Sequence, residues 1–158
     1  MACGLARWLP VMNIEAHLVG TVLAFDFGER RIGVAVGNLE LALAHPLATV
    51  NNKNTAECFE SIAQLIDEWH PALLAVGLPT HADGTEHELT RRSRRFARRL
   101  EGRFGIRTVL VDERYTSIEA GAALQEAGVN KKKQKPLLDQ VAAQLILQTY
   151  FDGRNATT

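Results

Sequence analysis

The chain has 158 residues, 46% hydrophobic and 23% charged, with 18 cations balanced by 18 anions. That is an ordinary composition for one globular domain, and the net charge points to no partner. No apolar run approaches the roughly 20 residues of a membrane helix, and Cys3 and Cys58 make neither a disulfide framework nor a zinc site, so a reducing cytoplasm is the expected compartment.

The first twenty residues differ from the rest. Arg7 and Pro10 interrupt their apolar stretch, and they lack a secretory core. They are expected to form a poorly ordered extension, 1–20, ahead of a single domain, 21–152, and a short tail, 153–158. Met12 offers a second start. Residues 22–27 and 31–37 read as two strands joined by a tight turn at Gly28, an antiparallel hairpin. A third strand is expected over 43–50, at an edge or bulged, because Pro46 cannot donate to a ladder.

A helix over 55–69 follows. Asn54 is its N-cap with Glu57 three residues on, and Phe59, Ile62, Ala63, Ile66 and Trp69 recur at helical spacing. Pro71 stops it. The apolar run 72–78 is a strand covered on both faces. After a polar loop, Thr85-x-x-Glu88 resembles a capping box opening a helix over 86–101, with Leu89, Phe96, Leu100 and Phe104 facing the core and Gly102 and Gly105 available to end it. Residues 107–111 form a last strand. Thr116-x-x-Glu119 caps a helix to Gly128, a lysine loop follows, and Pro136 opens a terminal helix over 137–151. The order β-β-β-α-β-α-β-α-α makes an α/β layered fold with a mixed sheet.

Acidic residues stand where the local pattern is apolar or a strand ends. Asp26 ends the first strand, and Asp112 and Glu113 end the last. Asp139 precedes Ala142, Ala143 and Ile146 by three, four and seven residues, which puts it on a face that packs near the sheet. Asp139 would also suit the positive end of its helix. Three carboxylates brought together cannot all stay ionised in low dielectric without a cation, and hard oxygen ligands suit Mg²⁺ or Mn²⁺. Two such ions about 4 Å apart can activate water and stabilise the leaving oxygen of a phosphodiester. Strand alternation lets only one of Asp112 and Glu113 face Asp26, and the pattern leaves open which. The histidines at 45, 70, 81 and 87 are scattered; the first two read as structural, the last two lie in the polar loop, and Cys58 reads as a small buried residue.

The cations are clustered. Arg91, Arg92, Arg94, Arg95, Arg98, Arg99 and Arg103 fall in one short segment, and Lys131, Lys132, Lys133 and Lys135 in another, so eleven of the 18 cations fall in two patches. Guanidinium groups fork well onto phosphate, so nucleic acid is the expected partner. Aromatic residues are only 6%, so base stacking should not dominate.

The segments AFDFGERRIGVAVG, VGLPTHADGTE, RRFARRLEGRFG, VDERYTS and KPLLDQVAAQLIL resemble, in order, those of the YqgF/RuvX family, over about residues 20–151. The resemblance implies an RNase H-like three-layer fold with a mixed five-stranded sheet, and a metal-dependent nuclease whose acidic triad is Asp26, Glu113 and Asp139. It implies structured RNA as the primary substrate, with trimming of the 5′ end of pre-16S rRNA, and branched DNA as the alternative, with resolution of Holliday junctions. Expected nucleic-acid contacts are Arg92, Arg95, Arg99, Arg114, Lys131, Lys132 and Lys133, on a monomer or a homodimer. A third reading is an actin-like nucleotide-binding module. The chain is short for that, and VGLP carries one glycine where a second phosphate hairpin is needed.

Overall fold

A computed structural model of the chain describes residues 19–79, 86–112 and 131–157. Strands β1 (Thr21–Asp26), β2 (Arg31–Asn38) and β3 (Leu43–Asn51) form an antiparallel meander. Helix α1 (Thr55–Trp69) then leads to β4 (Leu73–Leu78), and α2 (Glu88–Phe104) to β5 (Thr108–Asp112). Both later strands run parallel to β1, giving one five-stranded sheet of order β3-β2-β1-β4-β5. Helix α3 (Lys131–Thr157) closes the described chain, running past the expected domain boundary at 152.

Period-two alternation splits the core into two layers. Leu23, Phe25, Ile32, Val34, Leu74 and Val76 face α1 and α2, where they meet Phe59, Ile62, Phe96 and Leu100. Val22, Ala24, Ala35, Leu73, Ala75 and Val111 face α3, meeting Ala143, Ile146, Leu147 and Phe151. The α3 side of β2 is a track of small residues, Gly33, Ala35 and Gly37, and the helix sits close on it. A Cβ on Gly37 would lie 2.7 Å from the Phe151 ring.

The expected α1 matches residue for residue. Asn54 Oδ1 accepts from the Glu57 N–H at 3.2 Å, and His70, at φ 47, closes the other end with its N–H on the Ile66 carbonyl. Pro46 lies on the edge strand, and Leu47 is the extra residue where the register shifts between Val34 and Ala35. Cys58 is buried, which pushes its thiol above the ordinary value and makes it a poor nucleophile.

Three expectations need correction. Helix α2 starts at Glu88 rather than 86, capped by His87: the His87 N–H donates to Thr90 Oγ1 at 3.1 Å, and the buried Thr90 hydroxyl donates to the Pro79 carbonyl. Thr85 lies outside the described residues. The same helix continues through Gly102 and ends at Gly105, whose φ of 66 suits glycine. Finally, the lysine segment is no loop. Lys131, Lys132 and Lys133 form the first turn of α3, and Pro136 sits six residues inside it, where it forfeits the bond to the Lys132 carbonyl. Lysine and glutamine are good helix formers, and the twenty-one helical residues after Pro136 hold the segment in register. The helix expected over 116–128 lies outside the described residues.

Gly102 yields a test of the longer α2. A Cβ there meets nothing within 4 Å and φ is not positive. Gly102→Ala should therefore stabilise the protein by about 1 kcal/mol, read as a higher denaturation midpoint at unchanged slope.

Helix α3 is also stitched to the edge strand by side chains four residues apart. Gln140 Nε2 donates to Thr49 Oγ1 at 3.1 Å and Gln144 Nε2 to the Ala44 carbonyl at 3.0 Å. Gln148 accepts from the Ala44 N–H at 3.1 Å and donates to the Ala42 carbonyl at 3.0 Å.

Candidate active site

Asp26 is the last residue of β1 and is paired across the hairpin with Gly33. Directly opposed residues share a face, so Asp26 lies on the side of Val22 and Ala24, toward α3. At Gly33 that helix comes very close. A Cβ built on it would lie 1.8 Å from the Asp139 carbonyl oxygen and 3.0 Å from Asp139 Cα. Antiparallel partners stand about 5 Å apart, so the Asp26 and Asp139 backbones are within about 10 Å of each other. Both side chains are half-buried.

Asp139 is the ninth residue of α3. The helix-end field fades within the first turn, so the charge there is not explained by the helix terminus. One of its oxygens has a partner: Arg31 Nε donates to Asp139 Oδ2 at 2.8 Å, with 38% and 22% of the two side chains exposed. The hairpin turn beneath is held firmly. A Cβ on Gly28 would lie 2.5 Å from the Arg31 carbonyl, Asn52 Nδ2 donates to the Gly28 carbonyl at 2.7 Å, and Arg92 Nη1 donates to Glu29 Oε1 at 2.6 Å.

Glu113 and Arg114 lie outside the described residues. Asp112 pairs with Leu78 and follows Val111, a residue of the α3-facing layer, so Asp112 points to the other side and is exposed. Among the described residues, no three of His, Cys, Asp and Glu come together as a metal-binding group. His70 and His87 are helix caps, in keeping with a structural role; His81 lies outside the described residues.

The two basic patches take different positions. Lys131, Lys132 and Lys133 precede Asp139 on α3 by six to eight residues, about 9–12 Å along the axis. Arg92, Arg95 and Arg99 line a cavity of about 350 Å³ between α1 and α2. That cavity lies on the face of the sheet opposite Asp26 and Asp139. Arg95 and Arg99 are exposed and form no ion pair among the described residues.

Sequence reasoning missed Arg31, Gly33, Asn52 and Glu29. The signal for Gly33 was present: in RIGVAVG the small residues recur every second position, which marks a strand face where a helix approaches closely.

Comparison with known proteins agrees with this architecture. The fold is shared with Thermus thermophilus RuvC in complex with a Holliday junction substrate, at a TM-score of 0.52 and 16% identity over 87% of this chain and 97% of that one. Fowlpox virus resolvase bound to Holliday junction DNA matches at a TM-score of 0.50 and 10% identity, over 87% and 99%. These likenesses define an RNase H-like fold of the RuvC kind, with a five-stranded mixed sheet between helices. Residues 20–153 match the model of the RuvX family, described as Holliday junction resolvase. A protein of Nitrosospira multiformis named "Putative pre-16S rRNA nuclease" is 75% identical over 139 residues, 88% of this chain and 92% of that one. A protein of the same name from Nitrosomonas europaea is 63% identical over 139 residues, 88% and 94%. The chain belongs to the RuvX family, a family of nucleases that hydrolyse phosphodiester bonds. No described helix is long and apolar enough to cross a membrane.

Proposed function

We propose that the chain is a metal-dependent nuclease that trims the 5′ end of precursor 16S rRNA, with Asp26, Glu113 and Asp139 as its acidic triad. The observation that carries the reading is the contact of Asp139 with Gly33, directly across from Asp26. It sets two half-buried carboxylates on one face of the sheet, Asp26 at a strand end and Asp139 beyond the first turn of its helix. Glu113 rather than Asp112 is chosen from the family resemblance, and Asp112 lies on the other side of the sheet from Val111, which supports that choice. The expected outcome is that Glu113→Gln is inactive and Asp112→Asn active; the reverse would exchange their roles.

Hard carboxylate oxygens fit Mg²⁺ or Mn²⁺, and Asp26, Glu113 and Asp139 would hold the ions, which lower the pKa of bound water and stabilise the charge developing on the phosphate. The protein's own residues supply orientation. Arg31 holds one Asp139 oxygen and leaves the other available. The Gly28 turn, pinned by Asn52 and Arg92, keeps the Asp26 strand end rigid. Lys131, Lys132 and Lys133 approach the substrate backbone from the start of α3, joined by Arg114 and, on the other face, by Arg92, Arg95 and Arg99.

The rRNA reading rests on the names of relatives that match most of the chain at 75% and 63% identity. Cleavage of four-way DNA junctions is the second reading, favoured by the family description and by fold neighbours bound to such DNA. A symmetric junction would call for a homodimer, whereas an RNA end can be trimmed by a monomer. The deciding experiment is a cleavage assay in Mg²⁺ or Mn²⁺ on precursor rRNA and on a four-way junction, with Asp26→Asn as control. Product from the junction alone would overturn the rRNA assignment.

The basic patches make a separate prediction. Each phosphate neutralised adds about 0.7–0.9 to the slope of log affinity against log salt. Lys132→Gln with Lys133→Gln should flatten that slope by about 1–2 and weaken binding to all sequences alike, since phosphate contacts position without reading. An unchanged slope would remove the lysines from the substrate surface.

A further inference from the structure

The arginines of α2 and the acids stand on opposite faces of one sheet, which constrains what can touch both. Arg92, Arg95, Arg99 and Arg103 follow one another at spacings of three, four and four, so they form one stripe about 16 Å long on α2. Below the stripe runs a groove. Its first part, about 350 Å³, has Phe27, Phe59 and Phe96 as its floor and three of the arginines as its wall. A second part, about 500 Å³, shares Thr55, Phe59 and Arg99 with the first and continues to Gly102 and Arg103. The Arg103 guanidinium lies 4.9 Å from the centre of the Phe59 ring.

The groove starts at the turn that follows Asp26. Glu29, three residues on from Asp26, is both part of the groove's lining and the partner of Arg92. Its carboxylate is thereby neutralised, leaving Arg95, Arg99 and Arg103 to set the charge of the wall. The start of α1 adds the positive end of a helix at Thr55, tempered by Glu57 in the same turn. This is a positively charged channel with an apolar floor.

We infer that the groove between α1 and α2 is a second strand-binding subsite, which takes a single-stranded segment flanking the scissile bond. This rests on the nuclease reading and adds to it a substrate class: nucleic acid with an unpaired flank. A strand held at Asp26 and Asp139 reaches the groove only by turning around the β1–β2 hairpin, from one face of the sheet to the other. A duplex would have to be kinked sharply to make that turn, at a deformation cost that an unpaired strand does not carry. An unpaired strand can, and a positively charged groove that tracks the backbone suits it. Guanidinium groups take the phosphates, and Phe27, Phe59 and Phe96 give the bases an apolar floor.

The test uses fluorescent hexauridylate and hexathymidylate, read by anisotropy in EDTA so that no cleavage occurs. Wild type should bind at least one of them, Arg95→Gln/Arg99→Gln about tenfold or more weaker with a flatter salt slope, and Arg95→Lys/Arg99→Lys close to wild type. Both arginines are exposed, so the variants should keep the wild-type melting temperature. A hairpin bearing an unpaired six-nucleotide flank should also bind wild type more tightly than the blunt hairpin, a preference the glutamine variant loses. An unchanged affinity or preference in the glutamine variant would overturn the subsite. So would equal competition by hexaglutamate, which would mark a groove for acidic peptides. The readings fail separately: cleavage by Asp26→Asn would sink the acidic site without touching the oligonucleotide result.

Discussion

Asp26→Asn and Asp139→Asn are each expected to lower phosphodiester cleavage by at least about 10²-fold, the cost of removing one preorganised charge-stabilising group. Affinity for nucleic acid in the absence of metal should stay within about threefold, because phosphate contacts come from Lys and Arg. The fold should survive as well. Asp26 lies at a strand end with its backbone in the hairpin ladder, and an amide occupies the same space as the carboxylate. Asp139→Asn also weakens the pair with Arg31, but that pair is partly exposed and worth about 0–1 kcal/mol. Mg²⁺ should raise the melting temperature of wild type more than that of either variant, since a ligand bound only by the folded state stabilises it. Near wild-type cleavage by purified Asp26→Asn would end the assignment.

The second large effect is expected at a residue with no side chain. Gly33→Ala puts a methyl group 1.8 Å from the Asp139 carbonyl oxygen, far inside van der Waals contact, and the obstacle is helix backbone. Neither partner can yield by a rotamer change. Helix α3 must lift from β2, opening the layer formed by Ala35, Ala143, Ile146 and Phe151. Overpacking of this kind costs about 3 kcal/mol and here should go higher rather than lower. Cleavage should fall with it, because the displaced segment carries Asp139. Gly153→Ala, on the same helix with nothing within 4 Å of its Cβ, is the control and should be neutral or stabilising by about 1 kcal/mol. Chemical denaturation of the three proteins reads the difference; a Gly33→Ala midpoint equal to wild type would mean that helix and strand are not in contact there.

Local chemistry was legible where one residue decides. Asn54 capping α1, Pro46 on the edge strand and the two parallel crossovers follow from single side chains and connection lengths. The burial of Ala142, Ala143 and Ile146 follows from spacing alone. Less legible were features that depend on two segments at once. The cap of α2 pairs His87 with Thr90 and borrows the Pro79 carbonyl, a combination without the usual Ser or Asp signature. The first turns of α3 looked like a loop because Pro136 outweighed the lysines around it. The separation of the arginines from the acids could not be read from charge, because it depends on which face each helix covers. Of the proposed site, strand ends and helix spacing pointed to Asp26 and Asp139, while Gly33, which brings them together, has no chemistry of its own.

The glutamines at 140, 144 and 148 set the axial position of α3. Each grips the backbone or a hydroxyl of the outermost strand, so sliding the helix by one turn, about 5.4 Å, would break the whole set together rather than one bond at a time. The position of a carboxylate at the middle of the sheet is therefore gauged from its rim. Fraying of β3, the strand beyond β2, would leave that gauge without a zero mark, so in the proposed site cleavage competence would depend on an edge that no substrate need ever touch.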